Sequence, residues 1–268
     1  MMTTAHSPSP PPGSLPLSGV VVARNEADRI GRCLQSMRGV CREILVLDSG
    51  SNDDTIAIAR AAGARVEHQD WLGFAAQKNA AIARASQPWV LLLDADEWLG
   101  AGTEAALRAL FAPTPSGGAR VESADAWQLL RRTHFLGRAL RFGGWGREAT
   151  ERVFRRELRY LPLQVHEKLD LGGQRIARVQ ARIEHDTARS LDEYRGKLAR
   201  YALLFAQQKH AAGKRASVLS PWTHAAAYWL KNYVLRGGFL DGREGRSYHA
   251  CHTRYVFDKY RHLLALAR

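Results

Sequence analysis

The chain has 268 residues, 46% of them hydrophobic, which is enough for a sizeable core in one large domain or two small ones. Its three scattered cysteines, Cys33, Cys41 and Cys251, exclude a disulfide framework, lack metal-ligand spacing and fit a reducing compartment. The net charge of +13 points to an anionic partner, and no uncharged apolar stretch reaches the roughly 20 residues a bilayer span needs, so the sequence predicts a protein not integral to a membrane.

The charge is unevenly placed. Residues 1–115 hold 10 Lys/Arg against 12 Asp/Glu, residues 116–188 hold 14 against 9, and residues 189–268 hold 15 against 5. A carboxyl end this basic suits nucleic acid or an anionic membrane surface. The opening "MMTTAHSPSPPPGSLP" has no basic segment followed by an apolar one, so residues 1–16 read as a disordered Pro-rich tail rather than a secretory signal.

The first predicted strand is "LSGVVVA", short, apolar and β-branched, followed by Ile30, Cys33, Leu34 and Met37 at helical spacing. "EILVLD" and "DDTIAIARAAGA" repeat the alternation, as do "RVEH" and "FAAQKNAAIARAS", then "WVLLLD" and "GTEAALRALF". Strands alternating with helices of this length predict right-handed βαβ units and a parallel sheet covered on both faces. From Gly117 the pattern loosens into strand-like "AWQLLRR", "ERVFRR" and "RIARVQARIEH", separated by "GGWG" and "LGG" turns. After Ser190 helical spacing returns, with Tyr194, Leu198, Tyr201, Leu204 and Phe205 on one face, then aromatic sets in "WTHAAAYWLKNYVL" and "YVFDKYRHLLALA".

In open α/β sheets ligands bind outside the carboxyl ends of the strands, which here read "ARNE", "DSGSND" and "DADE". Neither a dinucleotide fingerprint nor a P-loop is present. In "LLLDADEW" an apolar run ends in Asp94, Asp96 and Glu97, three carboxylates that repel one another unless something positive sits among them. Such a cluster is either a strand running out into solvent or a site for a hard divalent cation, which prefers oxygen ligands and neutralises phosphate charge. Ser51 and Asp54 have capping-box-like spacing, and Ser51, Asp53 and Asp54 read as mainly structural.

Taken together, "VVVARNEADRIGRCLQSM", "EILVLDSGSNDDT", "AAQKNAAI" and "WVLLLDADEW", in this order and spacing, resemble the nucleotide-binding half of the family 2 glycosyltransferases. "GGWG", "ERVFRR", "VHEKL" and "RGGFLDGREG" are similar to the lipopolysaccharide core β-1,4-glucosyltransferase group within that family, so the resemblance runs over about residues 17–268. It implies an α/β chain of GT-A fold, Rossmann-like, with a mostly parallel sheet, a mixed acceptor half and a C-terminal helical segment. The expected organisation is a tail over 1–16, a nucleotide-sugar half over 17–115, an acceptor half with the catalytic base over 116–189, and a basic, aromatic-rich helical region over 190–268.

The resemblance also implies roles. Asn25 and Glu26 line the nucleotide pocket, although Asn followed by acidic residues equally suits a helix start. Asp48 contacts the uracil or ribose, its alternative being a carboxylate that caps the next turn. Lys78 reaches the nucleotide, its alternative being an ordinary exposed lysine. Asp94 meets the ribose, Asp96 holds a divalent cation (Mg²⁺ or Mn²⁺) bridging the diphosphate, and Glu97 supports them. The base that takes the acceptor hydroxyl's proton is Glu167 in "LQVHEKLD", ahead of Glu148, Glu151 and Asp186, and the adjacent His166 completes the cation's shell or binds phosphate. Trp145 either opens to a sugar or packs, Arg152 and Arg155 either reach an anion or stay solvated, and the C-terminal aromatics either cap the domain or rest on an anionic bilayer.

The implied activity is inverting transfer of a hexose, glucose, from a UDP-sugar to an anionic lipid-linked saccharide such as the lipopolysaccharide inner core. The implied location is cytoplasmic, with peripheral contact at the inner membrane and no nucleic acid as partner. Sugar nucleotidyl transfer, which would want a Gly-rich basic loop after the first strand, and nucleic-acid binding, which a carboxylate-lined cleft opposes, are the alternative readings.

Overall fold

The computed structural model describes residues 12–115, 117–145, 148–163 and 167–267. In chain order these form β1 (Leu15–Ala23), α1 (Ile30–Met37), β2 (Cys41–Asp48), α2 (Thr55–Ala61), β3 (Arg65–His68), α3 (Phe74–Ala83), β4 (Trp89–Asp94), β5 (Glu97–Leu99) and α4 (Thr103–Phe111). There follow β6 (Ala126–Phe135), β7 (Arg138–Ala139), β8 (Glu148–Arg155), β9 (Ile176–Asp186), α5 (Leu191–Ala211), α6 (Ser220–Tyr228) and α7 (Gly242–Leu266). A π-helical stretch, Trp229–Leu235, continues α6.

The strands form a sheet in the order β3-β2-β1-β4-β8-β6-β9-β5, with β7 paired to β6. The pairs β1–β2, β1–β4 and β2–β3 are parallel, and β8 meets β4 antiparallel. β1 and β4 read as unbroken apolar runs because both of their faces are buried. Leu17, Val21, Leu91 and Leu93 share one core with the buried residues of α1, whereas Val20, Val90 and Leu92 share another with Ala75, Ala81 and Ile82 of α3. Gly19 is needed in β1 because a Cβ there would lie 2.9 Å from the Met37 sulfur of α1 and 3.2 Å from that of Cys41.

By contact the described residues group into two compact units. The first holds those up to Leu130 with Ala149–Leu163 and Glu167–Glu184, and the second holds Arg131–Glu148 and His185 onward. Residues 116–189 therefore contribute to both. Within the second unit, Phe135, Leu140, Tyr194, Leu198, Tyr248 and Tyr255 make a core to which α5 and α7 contribute. Trp145 takes the packing alternative, edge-on to Tyr248 with ring centroids 5.2 Å apart. Gly143 of "GGWG" and Gly238 of "RGGFLDG" have a shared cause: a Cβ on either would run into the His249 ring. Asp241 is buried and accepts the amides of Arg141 (3.0 Å) and Phe142 (3.0 Å), fixing the same loop. Among the described residues no helix is long and apolar enough to cross a membrane.

Candidate active site

Parallel register brings the chemistry to one rim. Ala23 at the end of β1 pairs with Asp48 of β2, and its neighbour Val22 pairs with Asp94 of β4, so the loops after these strands emerge side by side. The loops after β1, β2 and β4, with Lys78, Arg152 and Glu167, all belong to the first unit.

The loops after β1 and β2 are laced together. The Asn25 amide donates to Ser51 Oγ (2.9 Å), the Asn52 amide to Asn25 Oδ1 (2.9 Å), the Glu26 amide to Thr55 Oγ1 (2.7 Å) and the Ala27 amide to Asp53 Oδ2 (3.2 Å). Asn25 adopts a left-handed φ of 56°, which asparagine tolerates better than most residues. Asp48 is 1% exposed and stands in the turn-capping alternative: Oδ2 accepts the amides of Gly50 (2.8 Å) and Ser51 (2.9 Å), and Oδ1 accepts the Ser51 hydroxyl (2.5 Å). The expected capping box does not form. Ser51 turns back to Asp48, and Asp53 Oδ1 instead accepts the Thr55 amide (3.0 Å) at the start of α2.

The positive charge among the "DADE" carboxylates comes from side chains. Lys78 is buried rather than exposed, with Nζ 2.9 Å from Asp94 Oδ1. Burial disfavours its charge, but Asp94 foremost, aided by Tyr160 and Glu167, outweighs that and raises its pKa above the ordinary lysine value. Arg152, on the strand antiparallel to β4, is 5% exposed; its Nη2 donates to Glu97 Oε1 (2.5 Å) and lies 3.4 Å from Asp94 Oδ2. Burial again opposes its charge while Glu97 and Asp94 favour it, and the net shift is upward. Of the two readings of Arg152, reaching an anion or staying solvated, the solvated one does not hold: its head lies among the acids. Arg155 lies instead over the Trp89 ring, 4.4 Å from its centroid.

Glu97 is 0% exposed and also accepts the Asp94 amide (3.1 Å), so it holds the arginine and the turn in place. Arg29, which the sequence did not single out, links two strand ends: it bonds Glu26 at 2.7 Å and lies 3.9 Å from Asp96. Buried Cys33 registers how close the acids sit, since after burial itself Glu97, Asp96 and Asp94 all raise its pKa.

Glu167 is placed by pairing. Leu161 donates its amide to the Lys168 carbonyl (2.8 Å) and Asp170 to that of Arg159 (2.7 Å), while Asn79 of α3 clamps the backbone of Tyr160 in both directions (2.8 and 2.9 Å). Glu167 is half-buried just before this pairing, near enough to Lys78 to act on it. Of the other base candidates, Glu151 accepts the Gln128 side chain (2.8 Å), and Glu148, paired with Arg131 at 2.6 Å, and Asp186 fall in the second unit. His166 lies outside the described residues.

A divalent cation fits this donor set in one way. Among the described residues no group of three or more His, Cys, Asp or Glu forms a cage. Asp94 pairs with Lys78 and Arg152 and Glu97 with Arg152, while Asp96, 3.9 Å from Arg29, is the candidate hard oxygen ligand of the three. One carboxylate suits an ion that arrives with substrate phosphates and keeps its waters. The carboxylates Glu26, Asp94, Asp96 and Glu97 thus lie among the cations Arg29, Lys78 and Arg152.

Residues 18–159 match the family model of glycosyl transferase family 2. A lipopolysaccharide core biosynthesis glycosyltransferase, LpsC of Rhizobium meliloti (strain 1021), is 31% identical over 248 residues, covering 87% of this chain and 89% of that protein. An uncharacterized glycosyltransferase of Rickettsia felis is 38% identical over 96 residues, about a third of each chain (36% and 34%). Among solved structures, the mannosyltransferase PcManGT of Pyrobaculum calidifontis, in complex with GDP-Man and Mn²⁺, shares the fold at a TM-score of 0.54 and 17% identity, over 92% of this chain and 86% of that one. The chain belongs to glycosyl transferase family 2 and is a glycosyltransferase of GT-A fold.

Proposed function

We propose that this enzyme transfers a hexose, glucose, from a UDP-sugar to an anionic lipid-linked saccharide of the lipopolysaccharide inner-core type, with inversion. The observation that carries the reading is the rim network in which Lys78 and Arg152 hold Asp94 while Asp96 stands beside Arg29. The relative's role in lipopolysaccharide core biosynthesis supports the acceptor class, and the neighbour's GDP-Man and Mn²⁺ support a nucleotide-sugar donor with a divalent ion. Residues 17–115 serve the donor and 116–189 the acceptor, while 190–268 face the membrane. The enzyme works in the cytoplasm, in peripheral contact with the inner membrane.

Asn25, Glu26 and Asp48 shape the nucleotide pocket, Asp48 by holding the loop that meets the uridine. Asp94 meets the ribose, and Lys78 and Arg152 present positive charge to the phosphates. Arg152 Nε is buried with no hydrogen-bond partner among the described residues, a loss of about 1–3 kcal/mol that an incoming oxygen acceptor would relieve. Asp96, with His166, holds Mg²⁺ or Mn²⁺, which when bound neutralises charge on the departing diphosphate.

The Glu167 carboxylate takes the proton of the acceptor hydroxyl as that oxygen bonds to the anomeric carbon. The bond from that carbon to the diphosphate oxygen breaks on the opposite face, and UDP leaves with the electron pair. Glu167→Gln is therefore expected to lower kcat by about 100-fold or more while leaving UDP binding within about twofold, read by steady-state kinetics and calorimetry. A fully active Glu167→Gln enzyme would remove Glu167 from this role.

A further inference from the structure

The second unit carries more exposed apolar surface than a solvated helical cap requires. Along residues 218–240 the side chains of Val218, Leu219, Trp222, Leu230, Leu235 and Leu240 are all exposed, Trp222 to 66% and Leu235 to 75%. Isolated exposed leucines are ordinary, but a run of this kind containing tryptophan is not. Two grooves adjoin it. One, of about 610 Å³, is lined by Trp222, Ala225, Trp229 and Phe257; the other, of about 510 Å³, is lined by Arg195, Arg246, Ser247 and Arg254 over an apolar floor that includes Leu198. The grooves share Ala250 and Arg254 of α7, so an apolar trough and an arginine trough lie side by side.

We propose that this face docks onto an anionic phospholipid surface, the tryptophan-lined groove receiving acyl chain and the arginine-lined groove receiving the phosphate headgroup. Neighbouring apolar and cationic troughs match the two ends of an amphiphile, and tryptophan suits the boundary between them. Charge argues against a second copy as the occupant, since residues 189–268 hold 15 Lys/Arg against 5 Asp/Glu and two such faces would repel. The arginine groove exceeds the acids that pair with it: Arg254 is bonded to Asp258 at 2.7 Å and Arg195 to Asp192 at 3.2 Å, so three arginines meet two carboxylates. The inference gives residues to the membrane contact of the proposed function and rests on that reading only for which membrane is met.

The test uses the full chain with vesicles of phosphatidylcholine alone or mixed with phosphatidylglycerol, read by co-sedimentation and by quenching of tryptophan fluorescence with brominated acyl chains. The wild type is expected to bind the anionic vesicles at least about tenfold tighter than the neutral ones, with quenching. Trp222→Ser with Trp229→Ser, and separately Arg246→Glu with Arg254→Glu, are each expected to lower that affinity at least about tenfold. Their UDP-sugar affinity should match wild type, which also reports that they fold, since these side chains belong to the second unit and the donor residues to the first. Equal affinity for the two vesicle types, no binding at low salt, or double variants that bind as the wild type does would overturn the proposal. So would a dimer, seen by sedimentation velocity, that the tryptophan variant dissolves. Loss of UDP-sugar binding with vesicle binding intact would count against the donor assignment and leave the docking face standing.

Discussion

Arg152→Met is expected to destabilise the protein by about 3–5 kcal/mol, the cost of leaving a buried carboxylate without its partner. The carboxylate is Glu97, fully buried, whose Oε1 takes the arginine's hydrogen bond at 2.5 Å. Asp94 would lose Arg152 as well, while keeping Lys78. Urea unfolding followed by circular dichroism reads the effect as a lowered midpoint with little change in slope. The double variant Arg152→Met with Glu97→Gln removes both charges and is expected to recover most of the loss, because a neutral pair need not be desolvated as ions. It should remain poorly active, since Arg152 in this account also faces the diphosphate. An Arg152→Met protein within about 1 kcal/mol of wild type would mean that Glu97 is not held as a buried ion.

Asp96→Ala should behave in the opposite way, folding normally while turnover falls by about 100-fold or more. The difference lies in their surroundings. Arg29 lies 3.9 Å from Asp96 and keeps its 2.7 Å bond to Glu26 in the variant, so its charge is not stranded. What disappears is the hard oxygen ligand proposed for the cation. Turnover measured across a divalent-ion titration, beside a thermal melt, separates the two effects. Asp96→Ala at full activity would remove the metal assignment.

Part of this architecture was legible because hydrophobic periodicity reports burial directly. Ile30, Cys33, Leu34 and Met37, expected on one helical face, are the buried residues of α1, and the apolar runs of β1, β2 and β4 became the central parallel strands. Pattern fails where burial is polar. α7 begins at Gly242, well before "YVFDKY", because its first turns bury Tyr248, His249, Cys251 and His252 rather than aliphatic residues. In α5 the buried face runs through Tyr194, Leu198, Ala202 and Ala206, so two of its positions are alanines, and the larger Leu204 and Phe205 are only half-buried. β5 was hidden within "DADEWL", where three strand residues follow a tight turn and local sequence reads only as the end of a strand.

The site shows the same division. That Asp94, Asp96 and Glu97 need positive charge among them followed from electrostatics alone, but the source of that charge did not. Lys78 and Arg152 look like solvent-facing residues in any periodicity reading, and Arg152 meets Glu97 across 55 positions of chain through an antiparallel strand whose register no local pattern encodes. Asp48 in "LDSGS" was legible as a loop carboxylate. Whether it faced ligand or its own turn depended on the Gly50 and Ser51 amides folding back onto it.

Calorimetric titration of the wild-type chain tests most directly whether a sugar nucleotide is held at the rim of the sheet with a divalent ion's help. UDP-glucose is expected to bind at least about tenfold tighter with Mg²⁺ or Mn²⁺ than in chelator, and GDP-, ADP- and CDP-sugars to bind more weakly under the same conditions. Affinity for UDP-glucose that is indifferent to the ion, or a preference for another nucleotide, would contradict it.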